Sequence, residues 1–146
     1  MKLDIHLTTE WPFERVAKYG PEITAAMKKL VDRFPNEMTL QSLAEDIITG
    51  KNQLWLILDE QENFKAFVTS EIKVNDATGY KTVLLLELAG DGGIDLVPMI
   101  AKVEAWAVSI GAKALTPIGR EGWRKPLAKL GYKTDLVLYR KELTHG

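Results

Sequence analysis

The sequence contains no cysteine and only two histidines. Without cysteine there is no disulfide, no thiol nucleophile and no thiolate metal site. His145 is next to the last residue and is expected to fray. A zinc site or a Ser-His-Asp triad would then rest almost entirely on His6, and neither is expected. A surplus of one charge is missing too. Nineteen Lys and Arg face twenty Asp and Glu, a net charge of −1, so no global field favours nucleic acid or an anionic membrane. No apolar run approaches the roughly 20 residues that cross a bilayer, and the opening MKLDIHLTTEW has no apolar core of signal-peptide length. A soluble, cytoplasmic protein is the expectation. What is present is ordinary for a globular chain: 146 residues, 46% hydrophobic and 27% charged, enough for one domain over residues 1–146 to bury a core unaided.

The periodicities divide the chain. Leu3, Ile5 and Leu7 alternate with polar residues and predict a first strand over residues 2–7. Trp11-Pro12-Phe13 opens a helical region that Gly20-Pro21 interrupts. Ile23, Met27, Leu30, Val31 and Phe34 predict a better helix, ended by Pro35-Asn36. Thr39 can cap a third helix, with Leu40, Leu43, Ala44, Ile47 and Ile48 on one face and Gly50 behind its last turn. The period then changes to two. Residues 53–58, 64–74 and 80–88 predict three strands joined by five-residue polar loops, an antiparallel meander.

The next stretch organises the rest. The strand over residues 82–88 runs into Gly90-Asp91-Gly92-Gly93 and then into residues 95–110, predicted as a long helix apolar nearly all round and covered on much of its girth. Glycines let the backbone approach a ligand, and the first free N–H groups of a helix point at whatever sits there. Residues 113–117 then predict a strand parallel to the one before the helix, residues 120–130 a short helix ended by Gly131, and residues 133–141 a last strand.

This order, with the strand–glycine–helix turn and the terminal Leu130-Gly131-Tyr132, resembles the GCN5-related N-acetyltransferase (GNAT) fold from about Pro21 onward. Thr39-Leu40, Gln53-Leu54-Trp55, Gly119-Arg120 and Gly122-Trp123 also resemble small GNAT-like proteins of tailed phages. The first resemblance implies an α/β (α+β) class: an antiparallel three-strand meander, then strand-helix-strand-helix-strand, with a V-shaped split between the fourth and fifth strands. It implies acetyl-CoA as cofactor and an amine as acceptor. Residues 86–89 would pair with the pantetheine arm, with the pyrophosphate on the turn. Leu88, Ala89, Gly90, Asp91, Gly92 and Gly93 are the candidate cofactor residues, joined by Arg120 of the basic last unit and by Trp123, which could line the cleft or plug it. The second resemblance implies a non-catalytic accessory or interaction module, virion-associated, with a phage protein or a second copy as partner.

The turn departs from the family pattern. Ala89-Gly90-Asp91-Gly92-Gly93-Ile94-Asp95 keeps the glycines but lacks the basic residue, and places Asp91 and Asp95 where a diphosphate would sit. Each charge at that range opposes phosphate by roughly 1 kcal/mol. A plain turn with Asp95 as helix cap is the competing reading. Where the family's last helix often carries a Tyr to protonate the leaving thiolate, this chain has Leu127. Glu87 is the candidate general base, because it would extend the apolar face of Val83 and Leu85; Glu71 is the runner-up, and a strand-end Glu paired with a lysine is the plainer alternative. Trp55 and Trp106 fall in apolar periods and are expected in the core.

Overall fold

The computed structural model describes residues 2–91, 95–119 and 121–144, with the side chains of Glu87 and Glu121 outside that description. Five strands form one mixed sheet in the order β1 to β5: β1 Asp4–Leu7, β2 Asn52–Leu58, β3 Phe64–Val74, β4 Lys81–Gly90 and β5 Ala114–Pro117. The first four pair antiparallel and β5 joins β4 in parallel. The helices are α1 Phe13–Ala17, α2 Gly20–Arg33, α3 Leu40–Ile48, α4 Ile100–Ser109 and α5 Arg124–Ala128. Among the described residues, no helix is long and apolar enough to cross a membrane.

Alternation along the inner strands splits the core in two. Leu54, Leu56, Leu58, Phe67 and Ala89 face α2 and α3, meeting Ile23, Met27, Leu30 and Leu43. Ile5, Trp55, Ile57, Val68 and Leu85 face the other way, toward Leu96, Met99, Ile100 and Val103 at the start of α4. The expected core positions of Trp55 and Trp106 hold in different degree: Trp55 is buried, and Trp106 packs edge-on against it at 5.3 Å while partly exposed.

The third helix starts as its sequence predicts. Thr39 Oγ1 accepts the Ser42 N–H at 3.0 Å and Ser42 Oγ accepts the Thr39 N–H at 2.9 Å, a reciprocal capping box. Thr39→Ala removes one of these bonds and is expected to cost about 1 kcal/mol, read as a loss of roughly 3 °C in a thermal melt.

Two elements differ from expectation. The helix predicted over residues 95–110 begins later: a 3-10 turn, Val97–Met99, precedes α4. Pro98 lies in that first turn, where its missing N–H would have no intrahelical partner and its fixed φ suits a helical start. Nor is α4 covered on much of its girth. Ile100, Val103 and Ala107 are buried against the sheet, while Val108 is 73% exposed on the far side. The strand predicted over residues 133–141 forms no element. Strand-forming side chains do not make a strand without a ladder partner, and this segment is tied elsewhere, through Tyr132 to Glu104 and through Arg140 to Glu37.

Candidate functional site

The parallel ladder between β4 and β5 is short. It runs from Thr82–Ala114 to Leu85–Pro117, and the Ile118 N–H closes it on the Leu85 carbonyl at 2.9 Å. β4 continues to Gly90 without β5 beside it, while β3 stays paired through Val68–Leu88, Phe67–Ala89 and Ala66–Gly90. This is the V-shaped split, and residues 86–90 are its open edge.

A bulge lies at the mouth of the split. Between Ser70–Leu85 and Val68–Leu88, β4 spends Leu86 and Glu87 opposite the single residue Thr69. Bulges bend a strand and re-aim the residues beyond them. Leu85 and Leu88, three residues apart, both pack on the α4 side. Leu88 is the next described side chain of β4 against the core that holds Leu85, and Glu87, expected to continue the face of Val83 and Leu85, stands between them. The side chain of Glu87 lies outside the described ones.

The turn rests directly on β3. Gly90 has φ 146°, and a Cβ there would overlap the Lys65 carbonyl oxygen and the Ala66 Cα. The Asp91 N–H donates to the Lys65 carbonyl at 2.8 Å. The Asp91 carboxylate stands 3.9 Å from Lys65 Nζ, which lies equally 3.9 Å from Asp59 Oδ2 in the β2–β3 turn. Main-chain and side-chain hydrogen bonds from Asn63, then the Gln61 N–H and Lys65, hold the Asp59 carboxyl below its usual range. Lys65 thus supplies the positive charge that the glycine turn's own sequence lacks. The signal was present: folding the meander about its Asn75–Gly79 loop brings the start of β3 beside the end of β4. Gly92 and Gly93 lie outside the described residues.

The helix start is poor in donors. The Val97 N–H donates to Asp95 Oδ1 at 3.1 Å, Pro98 has no N–H, the Met99 N–H donates to the Leu96 carbonyl at 2.9 Å, and the Ile100 N–H to the Val97 carbonyl. From Val97 to Ile100 no N–H remains for an anion. Asp95 does occupy a helix-start N–H, as its sequence position implied, and Pro98 is the residue that sequence reading passed over.

The remaining candidates separate. Glu71 pairs across the sheet with Asn52 and Leu84 and lies 3.1 Å from Lys73. It is five residues along β3 from Ala66, the partner of Gly90, or about 17 Å. Its partner Leu84 is one residue short of Leu85, where the split opens, so Glu71 lies beside the mouth of the split with its carboxylate turned to Lys73. Trp123 is half-buried against the α4-side core, its ring so close over Gly119 that a Cβ there would overlap it. It sits where the chain leaves β5. Arg120 lies outside the described residues. Leu127 packs on the α4-side core, and its carbonyl accepts the N–H groups of Leu130 and Tyr132. The Tyr132 hydroxyl donates to Glu104 Oε2 at 2.6 Å; burial first, then that carboxylate, raises its pKa well above the ordinary value. The Tyr132 hydroxyl is thus engaged by α4 through Glu104. An open hollow of about 490 Å³ lies at the far end of β4, lined by Thr78, Tyr80, Lys81 and Lys113, away from the split.

No protein-family model matches the sequence, and no curated protein matches it. Solved structures do. An acetyltransferase from Trypanosoma brucei superposes with a TM-score of 0.66 at 12% identity, covering 97% of this chain and 100% of the other. Glucosamine-6-phosphate N-acetyltransferase from Arabidopsis thaliana gives 0.64 at 12%, covering 99% and 100%. A GNAT family acetyltransferase from Staphylococcus aureus gives 0.61 at 12%, covering 98% and 100%. The chain has the GNAT fold.

Proposed function

We propose that the chain is an acetyl-CoA-dependent N-acyltransferase that grips its cofactor by the pantetheine arm more than by the pyrophosphate. The observation that carries this reading is the open edge of β4: past the bulge, residues 86–90 have lost β5 while β3 still holds them rigid. An extended amide-bearing chain can add to such an edge as a strand would. The pyrophosphate end fits less well, because the helix start from Val97 to Ile100 offers no free N–H and Lys65 is shared with Asp59. Leu88, Ala89, Gly90 and Asp91, with Gly92, Gly93, Arg120 and Trp123, are the proposed cofactor residues.

Acetyl-CoA would supply a thioester whose carbonyl is open to attack. Main-chain N–H groups near Leu88 to Gly90 would polarise that carbonyl. Glu87 or a water would take the proton of an acceptor amine attacking that carbonyl. Solvent would protonate the leaving thiolate, since Leu127 stands where a phenol would serve and the Tyr132 hydroxyl is bonded to Glu104.

Calorimetry against acetyl-CoA and S-acetylpantetheine tests the reading. The two are expected to bind within about tenfold of each other, a difference of about 1.4 kcal/mol. Lys65→Gln is expected to weaken acetyl-CoA severalfold and leave S-acetylpantetheine unchanged. Absence of binding by either at millimolar concentration overturns the proposal. That outcome belongs to a second reading, a non-catalytic GNAT-like module such as a phage accessory protein, which the blocked helix start and Leu127 favour.

A further inference from the structure

Asn52, at the start of β2, is 7% exposed, and its Oδ1 meets no hydrogen-bond donor among the described residues. A buried carbonyl oxygen without a donor is costly, and such groups are exceptions that need a cause. Alternation puts Asn52 on the face of Leu54, the one turned to α2 and α3. Glu71 is its direct partner on β3. The two side chains therefore rise side by side, with Cβ atoms about 5 Å apart. The Glu71 side chain is only 17% exposed. Among the described residues its ion-pair partner is Lys73 at 3.1 Å, whose own side chain is 58% exposed.

The row continues across the sheet to the split. Glu71 pairs with Leu84, and Leu84 with Thr116 of β5, one rung before the ladder ends at Leu85 and Pro117. Neither core reaches this row beyond Asn52 and Glu71: Leu84 and Leu86 are half-buried and belong to neither cluster. Asn52, Glu71, Leu84 and Thr116 thus share one face, with acceptor oxygens at one end and an apolar surface running toward the open edge of β4.

We infer, on the acyltransferase reading above, that this row holds the acceptor and that the acceptor is a diamine or polyamine. Asn52 Oδ1 and an ionised Glu71 only accept hydrogen bonds, and an ammonium only donates them. Lys73 shows that the Glu71 carboxylate takes an ammonium here, and a pair this open on the lysine side is weak enough to be exchanged. One ammonium of the acceptor replaces that of Lys73 and gives Asn52 Oδ1 its donor. The alkyl chain then lies over Leu84. Glu71 is three residues along β3 from Val68, the partner of Leu88, or about 10 Å. A second amine at that distance reaches the thioester carbonyl beside Leu88. A monoamine would leave Asn52 Oδ1 without a donor. Glu71 is therefore a specificity-determining residue, and the proton of the attacking amine is left to Glu87 or a water.

Two amines of equal carbon number, α,ω-diaminoheptane and heptylamine, are titrated separately into the isotope-labelled full chain without cofactor. Calorimetry gives the affinities, and the Asn52 side-chain amide signals report the place. The diamine is expected to move those signals and to bind at least about tenfold more tightly than the monoamine. Glu71→Gln is expected to bring the two amines to one affinity. Lys73→Met removes the internal competitor from an exposed position, and is expected to tighten the diamine severalfold. A Glu71 that serves only the fold would produce no such gain. Equal affinities for the two amines in the parent, Asn52 signals that stay in place, or a diamine that binds no tighter to Lys73→Met overturns the proposal. Acetyl-CoA affinity is measured on the same samples. Diamine binding with no acetyl-CoA binding overturns the acyltransferase reading and leaves the diamine site, whereas acetyl-CoA binding with no diamine preference overturns the diamine site alone.

Discussion

Gly90→Ala is expected to lower the melting temperature by about 10 °C, although it adds one methyl group. Two costs combine. The residue sits at φ 146°, where a side chain is strained, and its Cβ would press into the main chain of β3 at Lys65 and Ala66. Backbone cannot give way as the tip of a flexible side chain can. Overpacking and strain together come to about 2–4 kcal/mol, and each kcal/mol is worth about 2–4 °C at this chain length. Gly79→Ala is the control: its φ is 73°, but a Cβ there meets open space, so only the conformational cost of about 1 kcal/mol is expected. Equal losses from the two variants in urea or thermal melts would show that Gly90 is not pressed on β3. Because Gly90 ends the open edge, the same variant is expected to abolish acetyl-CoA binding even where the protein stays folded.

Trp55→Ala is expected to cost about 3–5 kcal/mol. Trp55 is 1% exposed in the middle of the sheet. Its Nε1–H donates to Ser70 Oγ at 3.0 Å, and Ser70 Oγ donates on to Gln53 Oε1 at 2.9 Å. Its ring carries the edge of Trp106 from α4. Truncation thus opens a cavity under the crossover helix and breaks a buried polar chain at once. Trp55→Phe is expected to keep most of the packing and lose about 1–2 kcal/mol, the cost of the lost donor and the reduced volume. A urea titration that found Trp55→Ala within 1 kcal/mol of the parent would mean that α4 does not depend on this contact.

The fold was legible wherever a local signal and its tertiary partner agree. The capping residues of α3 and the period-two runs of β2, β3 and β4 are stated within a few residues of sequence. The structure places them as read. Legibility failed where a partner decides. Residues 133–141 have the side chains of a strand, but among the described residues no neighbour supplies a ladder. The 3-10 turn that precedes α4 has the same hydrophobic period as the helix it leads into, so its boundary does not show in the pattern. At the candidate site the glycines and both acidic residues can be read directly, whereas Lys65 can be found only by folding the meander and asking what lies across from Asp91. The bulge opposite Thr69 leaves no mark in composition, because a bulged strand has the same residues as a straight one.

Lys65 also joins two loops that sequence separates. Its ammonium stands between Asp91 of the glycine turn and Asp59, whose carboxylate organises the β2–β3 turn by accepting the N–H groups of Gln61 and Asn63. That turn holds Glu62 at φ 63°, and the Glu62 carbonyl accepts the Tyr19 hydroxyl from beside α2 at 2.7 Å. One lysine therefore ties the glycine turn to the turn on which the Tyr19 hydroxyl rests, so the two loops and the start of α2 form one connected patch.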